Sequence, residues 1–533
     1  MPSILTKSLS FNAAEQFKES FSEETPTIAY ISIGNHIEYS NESSPDPIVE
    51  TISTDKLIWD NMFAGKRITG NDVQLVIPRY NWTSNVKYRA FDDTIEFSEL
   101  FKSNNSQSLN PMYVMNSTRN VYKCVSNNNS AFSTVEPTGD YITSNGNVAT
   151  ADGYIWKYMF NVTPFNKFLI NNWIPAPTNT SALDFNVSPL NVVDGELTSI
   201  IVTNPGTNYR QASNIKVNGF TSGQTTVKLS NTALVLEIFS IPSISNLTNM
   251  LISGSGIPPT THIEDISIAT GVLTLSSTTT GSGGNTNNIA ISTRLFIDGP
   301  GSGGAANVTL SNTSSGVSAA NAKVSKITVT SIGTGYTYAN AVVYGSGTGA
   351  TCRVILPPKY GHGFNPAKEL NANNVMIAVT IGENDTTESG TISSNTSFRQ
   401  VSLLRNPHKY GESVASNNST SNSVFSQTTD LNLIAGTSFN LNEYVYQGNT
   451  SSPTAYGFVN DQTLNFVKLT KVKGTFSSGG IVTGFTSGAT RTIVSVNNPE
   501  FQPYSGDFLY VTNELKTERT LGQAENIKII INF

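Results

Sequence analysis

Four histidines, His36, His262, His362 and His408, are the only side chains of this 533-residue sequence whose ordinary pKa suits proton transfer near neutral pH. His362, within Gly361-His362-Gly363, is the most suggestive, because a turn can present a side chain to a ligand. The plainer reading, a loop histidine hydrogen-bonded to backbone, is preferred. No HExxH, CxxC or regularly spaced acidic loop accompanies any of the four, so the sequence gives no support to a protein-built metal site. Gly299-Pro300-Gly301-Ser302-Gly303-Gly304 formally matches GxGxxG. A dinucleotide site needs those glycines to open a helix, whereas here a proline interrupts and the β-prone Val308-Thr309-Leu310 follows, which predicts a glycine-rich hairpin or loop. Gly65-Lys66 is followed by Arg67 and lacks the Ser or Thr of a phosphate loop. Asp92-Asp93 and Glu264-Asp265 offer paired carboxylates for glycoside cleavage, but neighbours on a strand point to opposite faces and read as solvated surface acids. No catalytic residue, cofactor or metal is expected.

Composition narrows the remaining classes. Charged residues make up 13% of the chain, about half the usual share, and polarity is carried mainly by Ser, Thr, Asn and Gly. A net charge of -6 offers no cationic surface for phosphates, so nucleic acid is not an expected partner. The first residues lack a basic stretch followed by an apolar run, and no long apolar segment occurs, which predicts neither a signal peptide nor membrane insertion. Cys124 and Cys352 lie far apart beside apolar residues and read as buried free thiols folded in a reducing cytoplasm.

The elements that would position any site are mostly strands. One amphipathic helix is predicted over Phe11 to Phe21 with Ser10 as its N-cap, and a second around Thr54 to Met62. Thr27 to Gly34, Val73 to Pro78 and Tyr154 to Phe160 read as strands, with Trp156, Tyr158 and Tyr154 sharing one face. From about residue 191 the chain turns to short strands separated by Gly, Ser and Thr. An internal repeat appears there, Ile200 to Tyr209 matching Ile327 to Tyr336 at an offset of 127 residues, each copy a strand, a glycine turn, a tyrosine and a strand. Tyr209 and Tyr336 are expected to pack onto their turns, with sugar stacking the more distant alternative. A Ser- and Asn-rich bridge around residues 414 to 424 leads into tightly alternating strands, Asn442 to Gly448, Ala455 to Val459 and Leu464 to Leu469, which predict a small β-barrel of SH3-like or OB-like size. The apolar last segment, Ile527 to Phe533, must be paired in a sheet or covered by a partner.

Taken in order, the segments Thr27 to Gly34, Trp59-Asp60-Asn61-Met62, Val76 to Trp82, Val121-Tyr122-Lys123-Cys124, Asp152 to Phe160, Phe398-Arg399-Gln400-Val401-Ser402, Arg405-Asn406-Pro407 and Ser505 through Phe533 resemble the dimeric baseplate wedge protein of T-even-type contractile-tailed bacteriophages. The likeness covers about half the chain, and the segments follow the family's order. It implies a mainly β fold, a layered β-sandwich core with a few short helices, enlarged here by small inserted β-sandwich or β-barrel modules. The corresponding division is a wedge core from 1–190, an inserted Gly/Ser/Thr-rich module over 191–355, a return to the core over 356–430, an inserted barrel over 431–500 and core strands over 501–533. The family-signature residues are Trp59, Pro78, Trp82, Asp152, Gly153, Trp156, Arg399, Gln400, Asn406, Pro407, Gly506, Tyr510 and Phe533, taken as structural.

The resemblance further implies a virion protein of the tail baseplate, assembled in the host cytoplasm, a homodimer that binds other baseplate wedge proteins and transmits host contact to sheath contraction. Scaffolding, not catalysis, is the expectation. The alternative is a receptor- or carbohydrate-binding tail protein, an adhesin whose β-rich insertions contact the host surface.

Overall fold

The computed structural model describes residues 7–24, 26–45, 47–49, 51–101, 109–139, 147–178, 192–209, 213–230, 248–267, 269–282, 288–311, 322–383, 385–387, 390–412 and 423–533. Most of the Ser/Asn-rich bridge expected around 414 to 424 lies outside the described residues. The fold is mainly β, as the alternation of apolar and small polar residues demands. It divides into two units, one formed by residues 1–77, 167–169 and 371–533, the other by 78–166 and 170–370.

In the first unit, helix α1 (Lys7–Glu19) buries Phe11 and Ala14. Its start corrects the sequence reading, since Ser10 lies inside the first turn and does not cap it. The first amides of a helix have no intrahelical acceptor to lose, and Lys7 and Leu9 are good helix formers, so a serine there stops nothing. Helix α2 (Ile52–Asn61) begins where Thr51 accepts a hydrogen bond from the Thr54 amide at 3.1 Å. A five-stranded antiparallel sheet runs in the order Val424–Ser426, Met62–Arg67, Ala29–Gly34, Thr396–Arg405, Asp507–Arg519. Every residue of Ala29–Gly34 is buried, so this sheet is covered on both faces, which is the condition of a layered core. A second sheet places Asn374–Ile381 between Val73–Pro78 and the last strand, Glu525–Asn532, with Ile377 opposite Val73 on one side and Ile529 on the other.

The expected small barrel is present. Six strands close in the order Thr429–Leu433, Phe466–Gly474, Ser452–Gln462, Tyr444–Asn449, Ile481–Gly484, Thr490–Asn497. Inward residues such as Leu431, Val445, Val459, Leu469 and Val482 fill it. Closure removes open strand edges, which is why so short a segment needs no further cover.

In the second unit, Asn120–Ser126 and Ile155–Asn161 pair antiparallel, and Tyr122, Cys124, Tyr154, Trp156 and Tyr158 pack with Tyr88 into one aromatic core. Cys124 is buried and Cys352 half-buried, both as free thiols.

The Gly-rich part of this unit is a duplication broader than the repeat visible in the sequence. Val324–Thr334 pairs with Ser302–Leu310, and Ser199–Thr207 pairs with Thr348–Ile355. The Tyr336 ring lies on the turn before the first partner strand, where a Cβ on Gly301 would come within 2.4 Å of it. Tyr209 lies equivalently on Gly347, at 2.5 Å. The Tyr336 hydroxyl accepts from the Gly304 amide at 3.3 Å and the Tyr209 hydroxyl from the Ala350 amide at 3.4 Å. Gly206 and Gly333 match as well, at φ 60° and 59°, each leaving no room for a Cβ against the facing strand. The copies also hold one another, because the Tyr336 amide donates to the Gly195 carbonyl and the Tyr209 amide to that of Ala322. The GxGxxG-like segment therefore opens a strand, and its glycines clear space for a tyrosine ring.

Candidate functional site

Five of the signature residues, Trp59, Trp156, Arg399, Gln400 and Pro407, are buried. Trp59 is buried against Tyr30, Met62, Leu404 and Phe501, with Phe508 5.7 Å away. Arg399, almost wholly buried, extends its Nε to Glu42 at 2.9 Å and Nη1 to the His36 carbonyl at 2.9 Å. Gln400 donates to Asn513 across the sheet at 3.0 Å. Asn406 adopts a positive φ of 49° before the buried Pro407, and Gly506, at φ 71°, allows the chain to pass the Arg405 carbonyl, which a Cβ would approach to 2.4 Å. The Phe533 amide donates to Asn373 at 3.0 Å and its ring sits 5.2 Å from Phe17.

In the other unit, Pro78 ends its strand with its carbonyl accepting the Tyr113 hydroxyl at 2.6 Å, and the Trp82 indole donates to Ser133 at 3.1 Å. Trp156 is fully buried and stacked on Tyr154 at 5.5 Å. Asp152 organises the turn before that strand. Partial burial pushes its carboxyl up, but hydrogen bonds from Thr150, Thr134, Val135 and Tyr154 outweigh this and hold it below the usual carboxylate range. Gly153, at φ 83°, completes the turn beside Asn128.

Tyr510 is an exposed aromatic, and it faces a cleft of the first unit. Asp507–Arg519 is the outer strand of the five-stranded sheet, and Glu525–Asn532 the outer strand of the second sheet. Among the described residues of this unit, no further strand lies beyond either. A cleft of about 760 Å³ is lined by residues of both, including Tyr510, Leu515, Ile527, Ile529 and Ile530, and by Val401 of the neighbouring strand Thr396–Arg405. Leu515 is 58% exposed and Leu521, in the connecting turn, 74%. Arg519 and Glu525 fasten the two strands where the chain crosses between sheets, 2.8 Å apart and both largely buried. Burial pushes the Glu525 carboxyl up, with Arg519 opposing. The Lys516–Glu518 pair at 2.7 Å is exposed and adds little stability, but its charges make the edge less adhesive to arbitrary strands. The sequence signalled the last strand by its apolar run; periodicity carries no sign of whether a strand is inner or outer.

A second assembly of functional groups, in the other unit, was not anticipated. Lys123 and Lys157 stand opposite each other on neighbouring strands, both buried. Lys123 Nζ lies 2.6 Å from Glu369 Oε2 and 4.4 Å above the Phe91 ring. The other Glu369 oxygen accepts the Gly363 amide at 2.6 Å. His362 is fully buried, its Nε2 2.9 Å from the Thr198 hydroxyl and its Nδ1 3.5 Å from Glu369. This corrects the expectation of a loop histidine bonded to backbone, because the turn folds inward and side chains partner it. Burial and the Lys123 ammonium lower His362 to about 3, so the ring is neutral. Burial pushes Glu369 up, but Lys123 and His362 bring it down to about 2. Glu196, also buried, is pushed up by burial against the pull of Lys157 and Lys123. Two lysines and two glutamates thus share one core, all four buried, which is the arrangement of a fixed polar network. The signal in the sequence was one lysine at the centre of each of two apolar strands, Val121 to Val125 and Ile155 to Met159.

No model of a known protein family matches this chain, and no curated protein sequence matches it.

Proposed function

We propose that the chain is a structural subunit of a contractile-tail baseplate wedge, one that pairs with a second copy and with neighbouring wedge proteins through the outer strands Asp507–Arg519 and Glu525–Asn532. The observation that carries the assembly reading is the outer position of both strands, bordering a cleft with exposed apolar residues. Unpaired edges of this kind template strand addition or packing by another chain, and obligate interfaces bury some 2,000–5,000 Å² of such surface. Assignment to a baseplate wedge rests on the resemblance of the ordered core segments. No residue has a catalytic role in this reading, and the buried Lys123–Glu369 network serves to fix one packing of the second unit.

Mixing tests the reading. The purified chain should co-sediment with wedge proteins encoded alongside it, and Leu515→Glu should abolish that association while leaving the circular dichroism spectrum unchanged. A chain that sediments alone in every such mixture contradicts it.

A further inference from the structure

The outside of the barrel carries more aromatic surface than its folding uses. Along Tyr444–Asn449 and Ser452–Gln462 the inward residues are Val445, Gln447, Ala455 and Val459, and the barrel core is complete with them. Tyr444, Tyr446, Tyr456 and Phe458 therefore stand on the outer face. The register sets Tyr444 opposite Phe458 and Tyr446 opposite Tyr456, a two-by-two grid of rings, each half-buried. A fifth ring, Phe485, is 64% exposed and meets Tyr444 edge-on at 6.2 Å.

The turn bearing Phe485 is fixed in advance. Buried Glu443 accepts the amides of Asn440 and Thr486 at 2.8 and 2.6 Å, and the Phe485 amide donates to the Tyr444 carbonyl at 2.9 Å. Tyr444 and Tyr446 are stacked, their planes 26° apart and their centroids 6.0 Å apart, and Tyr456 lies 5.3 Å from Tyr444, so the rings form one continuous cluster. Thr450 donates to the Tyr446 hydroxyl at 3.1 Å, and the Tyr444 phenol is pushed up by desolvation and by the neighbouring Tyr456 and Tyr446 phenols. The Tyr444 phenol stays protonated and can donate.

We propose that this face binds a saccharide chain, its pyranose rings stacked on Tyr444 and Tyr446 and its hydroxyls bonded to the surrounding phenols. A pyranose offers an apolar C–H face and a polar rim, and the grid offers ring faces and hydroxyls in the same arrangement. An aliphatic protein surface would use the faces and leave the clustered phenol hydroxyls without partners. Nucleobases also stack on such rings, but the chain carries a net charge of -6, and of the lysines beside the grid Lys473, opposite Tyr456, is neutralised by Asp60 at 2.8 Å, which leaves Lys471, 5.9 Å over Phe458, to meet the accompanying phosphates.

This site goes beyond the assembly reading and lies on different strands, so each survives the other's failure. The test is titration of the full-length protein with chitohexaose, maltohexaose, cellohexaose and delipidated bacterial O-polysaccharide, followed by saturation-transfer NMR, with poly(dT) as the comparison. At least one saccharide should bind. Tyr444→Ala and Tyr456→Ala should each weaken it about tenfold or more. Tyr444→Trp should retain it, and Val494→Ala, exposed on the strand Thr490–Asn497 that pairs with neither grid strand, should leave it unchanged. Phe485→Ala, at an exposed turn position, should also weaken binding without affecting the fold. Absence of saccharide binding, binding indifferent to Tyr444, Tyr456 and Phe485, or binding of poly(dT) alone overturns the proposal.

Discussion

The buried network makes the sharpest statements about single residues. Lys123 keeps a charge at the centre of a core strand only because the Glu369 carboxylate lies 2.6 Å away. Glu369→Gln leaves that ammonium unpaired and should lower unfolding stability by about 3–5 kcal/mol, measured by urea denaturation. Lys123→Met combined with Glu369→Gln should recover much of the loss, and the cycle reports the coupling. The network also dictates acid behaviour. His362 titrates at about 3 when folded and near 6.5 when unfolded, so the unfolded chain binds an extra proton between those values and stability falls as pH drops through that window. Glu369 is lowered to about 2, so its contribution is complete above about 4.5 and disappears as pH falls toward 2. Both act in the same direction below about pH 4.5. Thermal melts at pH 7 and pH 5 should show a smaller acid loss for His362→Gln than for the natural protein, and equal losses would refute this assignment.

Elements carry the next level of argument. Gly301 and Gly347 have no side chain because tyrosine rings occupy that space, and the two turns are equivalent by the duplication. Valine at either should destabilise the second unit by about 1–3 kcal/mol, by similar amounts, with hydrogen exchange accelerated in the strands beside the altered turn. Unequal effects would show that the two halves are not mechanically alike. The strand Val73–Pro78 was legible residue for residue, since an apolar run ending in proline has few other solutions, and the barrel followed from its alternation and turns. Tyr209 lies against Gly206 of its own turn and Gly347 of the facing one, whereas Tyr336 lies on Gly301 of the turn before its partner strand, a placement that spacing along one strand does not show. The second half of the duplication was hidden because Gly299-Pro300-Gly301 and Gly345-Ser346-Gly347 blend into a background of Gly and Ser. Glu369 and Lys123 are 246 residues apart, and a pattern within one strand says nothing about a partner so remote. The aromatic grid needs the register between two strands, which tells which tyrosines are neighbours; spacing along one strand does not.

At the scale of the whole molecule, the proposed assembly would cover the two outer strands of the first unit and the apolar residues exposed at their cleft, Tyr510 and Leu515. The direct measurement is the mass of the full-length protein in solution, by size-exclusion chromatography with light scattering over a micromolar concentration series. A species of twice the chain mass, shifted to the monomer by Leu515→Glu in the outer strand but not by Ile481→Glu on the barrel, is the predicted result. A monomer at every concentration, or a dimer indifferent to Leu515, would contradict assembly through these strands.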